Sequence, residues 1–346
     1  MRYNPALDGL RAIAVAVVFG FHVGAPGFAG GFLGVDVFFV LSGFLITRIL
    51  GEEQRSAGTI QLLPFYAKRL LRLYPALLLV VAAYLAAGSR WFGHDINHGR
   101  DALIASLYLS DYGNAYFNSP VVLIHTWSLS VEEHFYLLWP LVLLAALRMS
   151  RPGQLATFGL LFVLATLWRW DVVDSGNDWR IAYYSFDTRL SGLFLGGFLA
   201  VWRPQSGPKA SLATGLAGLA AIAVAVGFSG WREYPSLKGW MLLAELGSAA
   251  AVYGACQIKL LTRPALVWPG RMSYGIYLWH YPIVYWLRDQ YWDWPQMLAT
   301  AGALSVAAAA ASFYLIERPC IQAGRRWLAR HDGAHAVEGS RASKVG

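Results

Sequence analysis

The sequence predicts an all-α protein, a polytopic transmembrane helix bundle of about ten spans with both termini cytoplasmic. Two observations carry that expectation. Of 346 residues, 57% are hydrophobic and only 14% charged, and the mean hydropathy is +0.43; soluble domains carry about 25% charged residues. Apolar runs close to the roughly 20 residues that cross a bilayer core recur along the chain with short loops between them. This composition excludes a disordered chain, a nucleic-acid-binding domain and a conventional cytosolic enzyme. It leaves no room for a large soluble domain.

In chain order the expected spans are 9–25, 32–50, 71–88, 128–147, 154–170, 182–202, 211–229, 239–257, 271–288 and 295–316. The stretches Ala12 to Val35 and Trp294 to Ile316 contain no Asp, Glu, Lys or Arg. Turn signals at Arg151-Pro152-Gly153 and Arg203-Pro204 separate others. The segment 102–112 is apolar but too short to span, and reads as re-entrant or interfacial. With the N-terminus inside, 19 of the 28 Lys and Arg residues fall in inner segments and seven in outer loops, Arg169 among the seven; Arg11 and Arg189 lie within spans. That bias follows the positive-inside rule. It accounts for the net charge of +8, in a chain with 15 Trp, without a nucleic-acid partner.

Arg2 followed by an apolar run is similar to a signal peptide, but Asp8 and Arg11 precede the run and further spans follow, so the first helix is expected to be retained. The chain divides into a membrane domain, 1–320, and a basic cytoplasmic tail, 321–346, whose end from Gly333 to Gly346 is small and polar and expected to be disordered. Cys256 and Cys320 form no disulfide framework and have no zinc spacing. No internal repeat of the inverted-transporter kind is evident.

Ionisable residues at membrane depth are costly and mark functional sites. The first helix carries Asp8, Arg11 and His22. Arg11 and His22 are eleven residues apart, about 16 Å along the axis and close to three turns, so they share a face. Arg11 falls near the cytoplasmic end and His22 in the outer half. Asp36 opens the second helix and Glu132 and Glu133 open the fourth, all entering from outside. Ser130 and Glu133 fit a capping box, but a cap leaves Glu132 unexplained. Carboxylates beside a histidine suit general-base chemistry, the carboxylate orienting an imidazole that takes a proton from an attacking hydroxyl. On the inner side, Arg69 and Arg72 are i, i+3 neighbours just before the third helix. They fit either a topological anchor or a phosphate clamp for an anionic cofactor. Arg189 lies inside a span and is expected to pair with Asp187 or another buried carboxylate, or to contact substrate. His280 either lines a cavity or packs, as Tyr277 and Trp279 do.

Other patterns carry less. His94 and His98 have metal-like spacing without a third ligand, and no metal site is expected. Leu41-Ser42-Gly43 lacks the nucleophile elbow, so Ser42 and Gly43 read as small packing residues. No phosphate-binding Gly-rich loop with Lys is present. Glu317-Arg318-Pro319 reads as the end of the last helix.

Several motifs in one order resemble the membrane acyltransferase-3 family: Leu7 to Val15 with Arg11 and His22 separated by ten residues, Gly34 to Gly43, Arg69-x-x-Arg72, Trp127 through Tyr136, Tyr274 to Ile283 and Ile316 to Pro319. The resemblance spans about residues 3 to 320. It implies a bacterial integral-membrane O-acyltransferase of the cytoplasmic (inner) membrane. Such a protein moves an acyl group, usually acetyl, from cytoplasmic acyl-CoA to a hydroxyl on an envelope or exported glycan. Arg11 and His22 would be its essential pair, with Asp36, Glu132 and Glu133 also catalytic. Arg69 and Arg72 would bind the acyl-CoA (acetyl-CoA) donor, and Tyr136, Arg189 and His280 would meet substrate. The partners implied are acyl-CoA, a hydroxyl-bearing glycan, glycolipid or small-molecule acceptor, and the lipid bilayer. Many relatives add a C-terminal extracytoplasmic esterase-like domain, whereas this sequence ends soon after the tenth expected span. A small natural product such as a macrolide as acceptor, a transporter or flippase, and a non-catalytic assembly partner are the alternatives.

Overall fold

The computed structural model describes residues 3–202, 206–288, 292–324 and Arg326. All regular structure among them is helical. The main elements are α1 (Pro5–His22), α2 (Gly34–Ala57), α3 (Leu62–Phe92), α4 (His98–Ser106), α5 (Ser110–Phe117), α6 (Trp127–Ala146), α7 (Arg151–Asp174), α8 (Trp179–Tyr184), α9 (Leu190–Val201), α10 (Pro208–Phe228), α11 (Met241–Gly254), α12 (Pro264–Arg271), α13 (Ser273–Arg288) and α14 (Trp294–Ser312). Among the described residues seven helical stretches are long and apolar enough to cross a membrane: Pro5–His22, Gly31–Ala57, Leu62–Phe92, Ile124–Ala146, Arg151–Asp174, Pro208–Phe228 and Trp294–Gly324. The other three expected spans are helical but shorter, with α9 at 12 residues, α11 at 14 and α13 at 16. The Arg203-Pro204 turn and the tail from Gly333 to Gly346 lie outside the described residues.

Local chemistry sets the helix ends. Asn4 caps α1 by accepting from the Ala6 N–H at 3.1 Å, with Pro5 in the first turn. Gly58, left-handed at φ 72°, ends α2. Asp293 and Gln296 form a reciprocal capping box on α14. The 102–112 segment is two short helices, α4 and α5, broken around Tyr108.

Three boundaries differ from expectation, each for a physical reason. α3 begins at Leu62, so Lys68, Arg69 and Arg72 sit within its early turns rather than before it. Leu, Lys and Arg are good helix formers, and nothing between Pro64 and Pro75 breaks the run. Arg169, expected in an outer loop, lies inside α7 and is fully buried, because α7 runs on to Asp174. The last helix does not stop at Glu317. A π-turn over Phe313–Glu317 rotates that glutamate inward, where it is buried and accepts from Ser312 Oγ at 2.9 Å, and the helix continues beyond it.

Glycines set the spacing between helices. α2 packs closely on α9, and α10 on α11. A β-carbon at Gly43 would overlap the Leu193 carbonyl, and one at Gly196 would overlap the Val40 carbonyl. Small-residue contacts of this kind let helix backbones approach in a bilayer, where no aqueous hydrophobic effect drives them together. We expect Gly43→Val or Gly196→Val to lower stability by at least the roughly 1–3 kcal/mol of core overpacking, since backbone rather than a flexible side chain is in the way. Thermal unfolding of detergent-purified protein followed by size-exclusion fluorescence checks this. Wild-type melting of both variants would show that the helices can separate freely.

Candidate active site

The ionisable residues fall into one polar column running through the bundle and two buried ion pairs beside it. One end of the column lies against α12. Arg11 Nη1 pairs with Asp8 Oδ1 at 2.8 Å, and Tyr3 Oη donates to Asp8 Oδ2 at 2.7 Å. Arg271 Nε donates to Tyr3 Oη at 3.0 Å. The approach is possible because Gly270 meets the backbone of Asp8 with no side chain between them. Arg72 is exposed on the surface of the bundle, and Arg11, Arg69 and Asp8 are among its charged neighbours.

The middle is built by α2, α3 and α6. The Arg69 guanidinium lies over the Tyr136 ring, 3.3 Å from its centroid. Glu132 Oε1 accepts from Ser42 Oγ at 2.6 Å and has Arg69 and Arg11 as charged neighbours. Glu133 faces Arg69 and Glu132, and its Oε1 is buried without a partner. Arg69 is therefore not separated from the glutamates by half a membrane, as its expected place below the third helix required. The early start of α3 carries it up to them. Ser42 is a hydrogen-bond donor rather than a packing residue, while Gly43 beside it does pack. Nor is Ser130 a cap: helix α6 begins at Trp127, so Ser130 Oγ donates to the Thr126 carbonyl at 3.2 Å.

One turn above Glu132, Ser128 Oγ hydrogen-bonds the Tyr277 hydroxyl at 2.8 Å, and that hydroxyl also donates to the His125 carbonyl at 3.0 Å. Here the column reaches three histidines. His22 Nδ1 lies 2.8 Å from His280 Nε2, and His280 Nδ1 lies 2.5 Å from the Tyr277 carbonyl. His125 Nε2 donates to the Leu278 carbonyl at 3.0 Å. Arg288 Nη2 donates to the His22 carbonyl at 2.7 Å, capping the end of α1. Arg11, in the second turn of α1, and His22, its last residue, thus stand at two levels of one helix.

One carboxylate expected near His22 takes a different partner, and Arg189 pairs with another buried carboxylate, one of its expected alternatives. Asp36 does not orient His22; its Oδ1 pairs with Arg189 Nη2 at 2.8 Å, and both residues are 1% exposed. The Arg189 guanidinium sits among the rings of Phe39, Trp127 and Tyr183. Asp187 accepts instead from Trp168 Nε1 at 2.7 Å. Beside this pair Arg169 Nη1 binds Glu245 Oε1 at 2.8 Å, and Ser191 Oγ donates to the same oxygen at 2.5 Å. The one carboxylate–imidazole pair on α6 is His134 Nδ1 with Asp111 Oδ2, at 3.0 Å. Both ring nitrogens of His98 are engaged, by Tyr84 Oη at 2.7 Å and the Gly93 carbonyl at 3.0 Å. Among the described residues no group of His, Cys, Asp or Glu could hold a metal ion.

Sequence reasoning missed His125, Ser128 and the role of Tyr277. His125 stands two residues before the Trp127 motif, and a histidine beside an apolar span was the available signal. Glu245, the only acidic residue of its helix, went unread for the same reason.

Fold and site together define a polytopic helical protein with an ionisable interior. Residues 4–317 match the acyltransferase-3 family, described as an acyltransferase domain, and the chain belongs to that family. It is 35% identical over 317 residues to the O-acetyltransferase OatA of Staphylococcus aureus (strain NCTC 8325 / PS 47), covering 84% of this chain and 52% of that protein. It is 35% identical over 315 residues to the peptidoglycan O-acetyltransferase OatA of Listeria monocytogenes, covering 82% and 50%. The putative peptidoglycan O-acetyltransferase YrhL of Bacillus subtilis is 33% identical over 311 residues, covering 82% and 49%. The chain spans about half the length of these curated relatives. No solved structure matches it significantly.

The Asp36–Arg189 pair makes a direct prediction. Removing one partner strands a buried charge and costs about 3–5 kcal/mol, whereas replacing both with apolar residues is often neutral. Arg189→Met and Asp36→Leu should each reduce the yield of folded protein sharply, and the double variant should recover most of it. Yields compared by size-exclusion chromatography decide this. A double variant no better than either single one would mean that the residues act separately.

Proposed function

We propose that this protein is a membrane O-acyltransferase, in practice an O-acetyltransferase. It takes the acyl group from cytoplasmic acyl-CoA, acetyl-CoA being the natural donor, and passes it to a hydroxyl of a cell-envelope glycan. The observation that carries this reading is the set of polar residues stacked through the bundle, cationic at one end and histidine-lined at the other. Family membership and relatives named as peptidoglycan O-acetyltransferases support it. They favour a glycan acceptor over a macrolide-like one, and acyl transfer over transport. The setting is the cytoplasmic membrane of a bacterium.

The proposed topology has ten crossings and both termini in the cytoplasm. Seven long helices alone would put the termini on opposite sides; adding α9, α11 and α13 restores the same side, as the distribution of basic residues requires. These three are short, but each is largely buried among the longer helices, and a short span is tolerated where neighbours and local thinning cover its ends.

In this reading the arginine end faces the cytoplasm. Arg72, exposed and beside Arg11, meets the donor phosphates. Arg69 is committed to the Tyr136 ring and the two glutamates, so it holds the middle of the column and borders the donor. The uncharged arm of the donor runs along Ser42, Glu132 and Tyr277 to His22. There the ring takes the proton of the acceptor hydroxyl as its oxygen attacks the thioester carbonyl carbon. The C–O bond forms, the C–S bond breaks, and the proton passes from His22 to the leaving thiolate.

Purified protein in vesicles, given acetyl-CoA inside and peptidoglycan glycan strands outside, should form acetyl ester and free thiol. Folded His22→Ala should form neither above background. Loss of one charge-assisted phosphate contact costs about 1.5–3 kcal/mol, so Arg72→Ala should raise the donor KM about tenfold or more with kcat nearly unchanged. Arg69→Ala should also lower kcat, because it releases Tyr136 and Glu132. Wild-type donor KM in both arginine variants would place the donor elsewhere. Cysteine labelling that found residue 55 or residue 209 on the extracytoplasmic side would overturn the topology.

A further inference from the structure

A neutral imidazole has one N–H donor and one acceptor nitrogen, and its partners decide which is which. His280 Nδ1 lies 2.5 Å from the Tyr277 carbonyl, which only accepts, so the His280 proton is on Nδ1. Its Nε2 is then a lone pair, and His22 Nδ1 at 2.8 Å must be the donor to it. The His22 proton is therefore held on Nδ1, and His22 Nε2 is left as the unprotonated nitrogen.

We propose that His280 is a positioning residue for the transfer reaction, fixing the tautomer and ring plane of His22 as a carboxylate does in a Ser-His-Asp triad. The proposal rests on the function proposed above, in which His22 is the base. It gives His280 a role other than contact with substrate.

The surroundings remove competing arrangements. His125 cannot donate to His280 from Nε2, which is spent on the Leu278 carbonyl, and its ring meets His280 edge-on at 5.5 Å. Tyr281 packs against His22 edge-on at 4.8 Å, and Phe21 packs against it tilted at 5.1 Å. No carboxylate hydrogen-bonds His22 among the described residues. His280 itself is completely buried. A carboxylate there would bring a charge that has to be desolvated, whereas a neutral ring supplies the same acceptor geometry without one. When His22 Nε2 takes the hydroxyl proton, the new positive charge is stabilised through the His22 Nδ1–H bond to His280 and onward to the Tyr277 carbonyl. The Nδ1 proton stays in place throughout. His22 returns to neutral when Nε2 gives its proton to the thiolate.

The test uses His280→Ala, His280→Leu and His280→Gln in the full chain, reconstituted with acetyl-CoA and peptidoglycan glycan strands. A glutamine amide oxygen can accept from His22 Nδ1; alanine and leucine cannot. We expect kcat to fall about 10²–10⁴-fold in the alanine and leucine variants, with the KM for donor and acceptor within about twofold of wild type. Glutamine should recover at least about tenfold over alanine. Glutamine no better than alanine in folded protein, or a loss confined to KM, overturns the proposal. Nitrogen-15 NMR of histidine-labelled protein tests it without turnover: His22 should be protonated on Nδ1 in wild type and shift toward the Nε2–H form in His280→Ala. A wild-type His22 protonated on Nε2 overturns the proposal even if every activity measurement agrees. Failure of wild type to transfer acetyl would strike instead at the proposed function, leaving the NMR to decide the tautomer.

Discussion

Away from water, a polar group must find a partner within the protein, and that requirement governs this bundle. Arg169 is met by Glu245 and Ser191, Arg189 by Asp36, and Arg11 by Asp8. Each match depends on helix spacing. Gly43 and Gly196 let α2 and α9 touch through their backbones, and this places Ser191 at the start of α9 against Glu245, and Arg189 just before it against Asp36. Gly270 does the same for Asp8 at the foot of α1. Backbone approach and side-chain pairing are two aspects of one constraint, since a wider gap would leave these charges unanswered.

The same constraint divides the column by charge. Its lower part gathers four arginines, an aspartate and two glutamates that largely answer one another. Its upper part holds three histidines, a tyrosine hydroxyl and backbone carbonyls, with Arg288, one of whose donors meets the His22 carbonyl, as the formal charge among the described residues there. A base in a setting without a carboxylate partner accepts a proton without first breaking an ion pair, although the Arg288 charge beside it opposes that proton. Carboxylate orientation of His22, the arrangement expected from the sequence, would have placed a permanent charge where the structure instead has His280.

Much of this was legible in the sequence. The all-helical membrane fold followed from hydropathy. Arg11, His22, Asp36, Glu132 and Glu133 stood out because charges at membrane depth are rare, and Arg69 because it pairs with Arg72 at i, i+3. What hydropathy could not convey was reach. A window that averages over charged turns starts the third helix near Leu71, although Leu62 to Arg72 is good helix sequence; from that boundary Arg69 falls on the wrong side of the membrane from Glu132. Partner choice was equally hidden. Asp36 and Arg189 are 153 residues apart, and nothing local tells an aspartate whether it will face a histidine or an arginine. His125 and Glu245 each lie in stretches whose pattern is purely apolar, so their burial emerges only when distant helices close over them.

The separation of the two ends has a consequence for how a transfer reaction can be organised here. Arg11 and His22 stand about 16 Å apart along one helix. A phosphate-bearing donor head cannot travel that distance between helices without losing its hydration, a cost of several kcal/mol per unpaired charge. A flexible, uncharged arm ending in a thioester can, because its amides find hydroxyl and carboxylate partners along Ser42, Glu132, Ser128 and Tyr277. On the proposed function, desolvation keeps the anionic head at the arginines and admits only the acyl-bearing tip to His22. The acceptor hydroxyl then has to approach from the opposite end, past Phe21, Tyr281 and Arg288. On that proposal the column would sort as well as react, letting an acyl group pass between compartments while the carrier that delivers it stays behind.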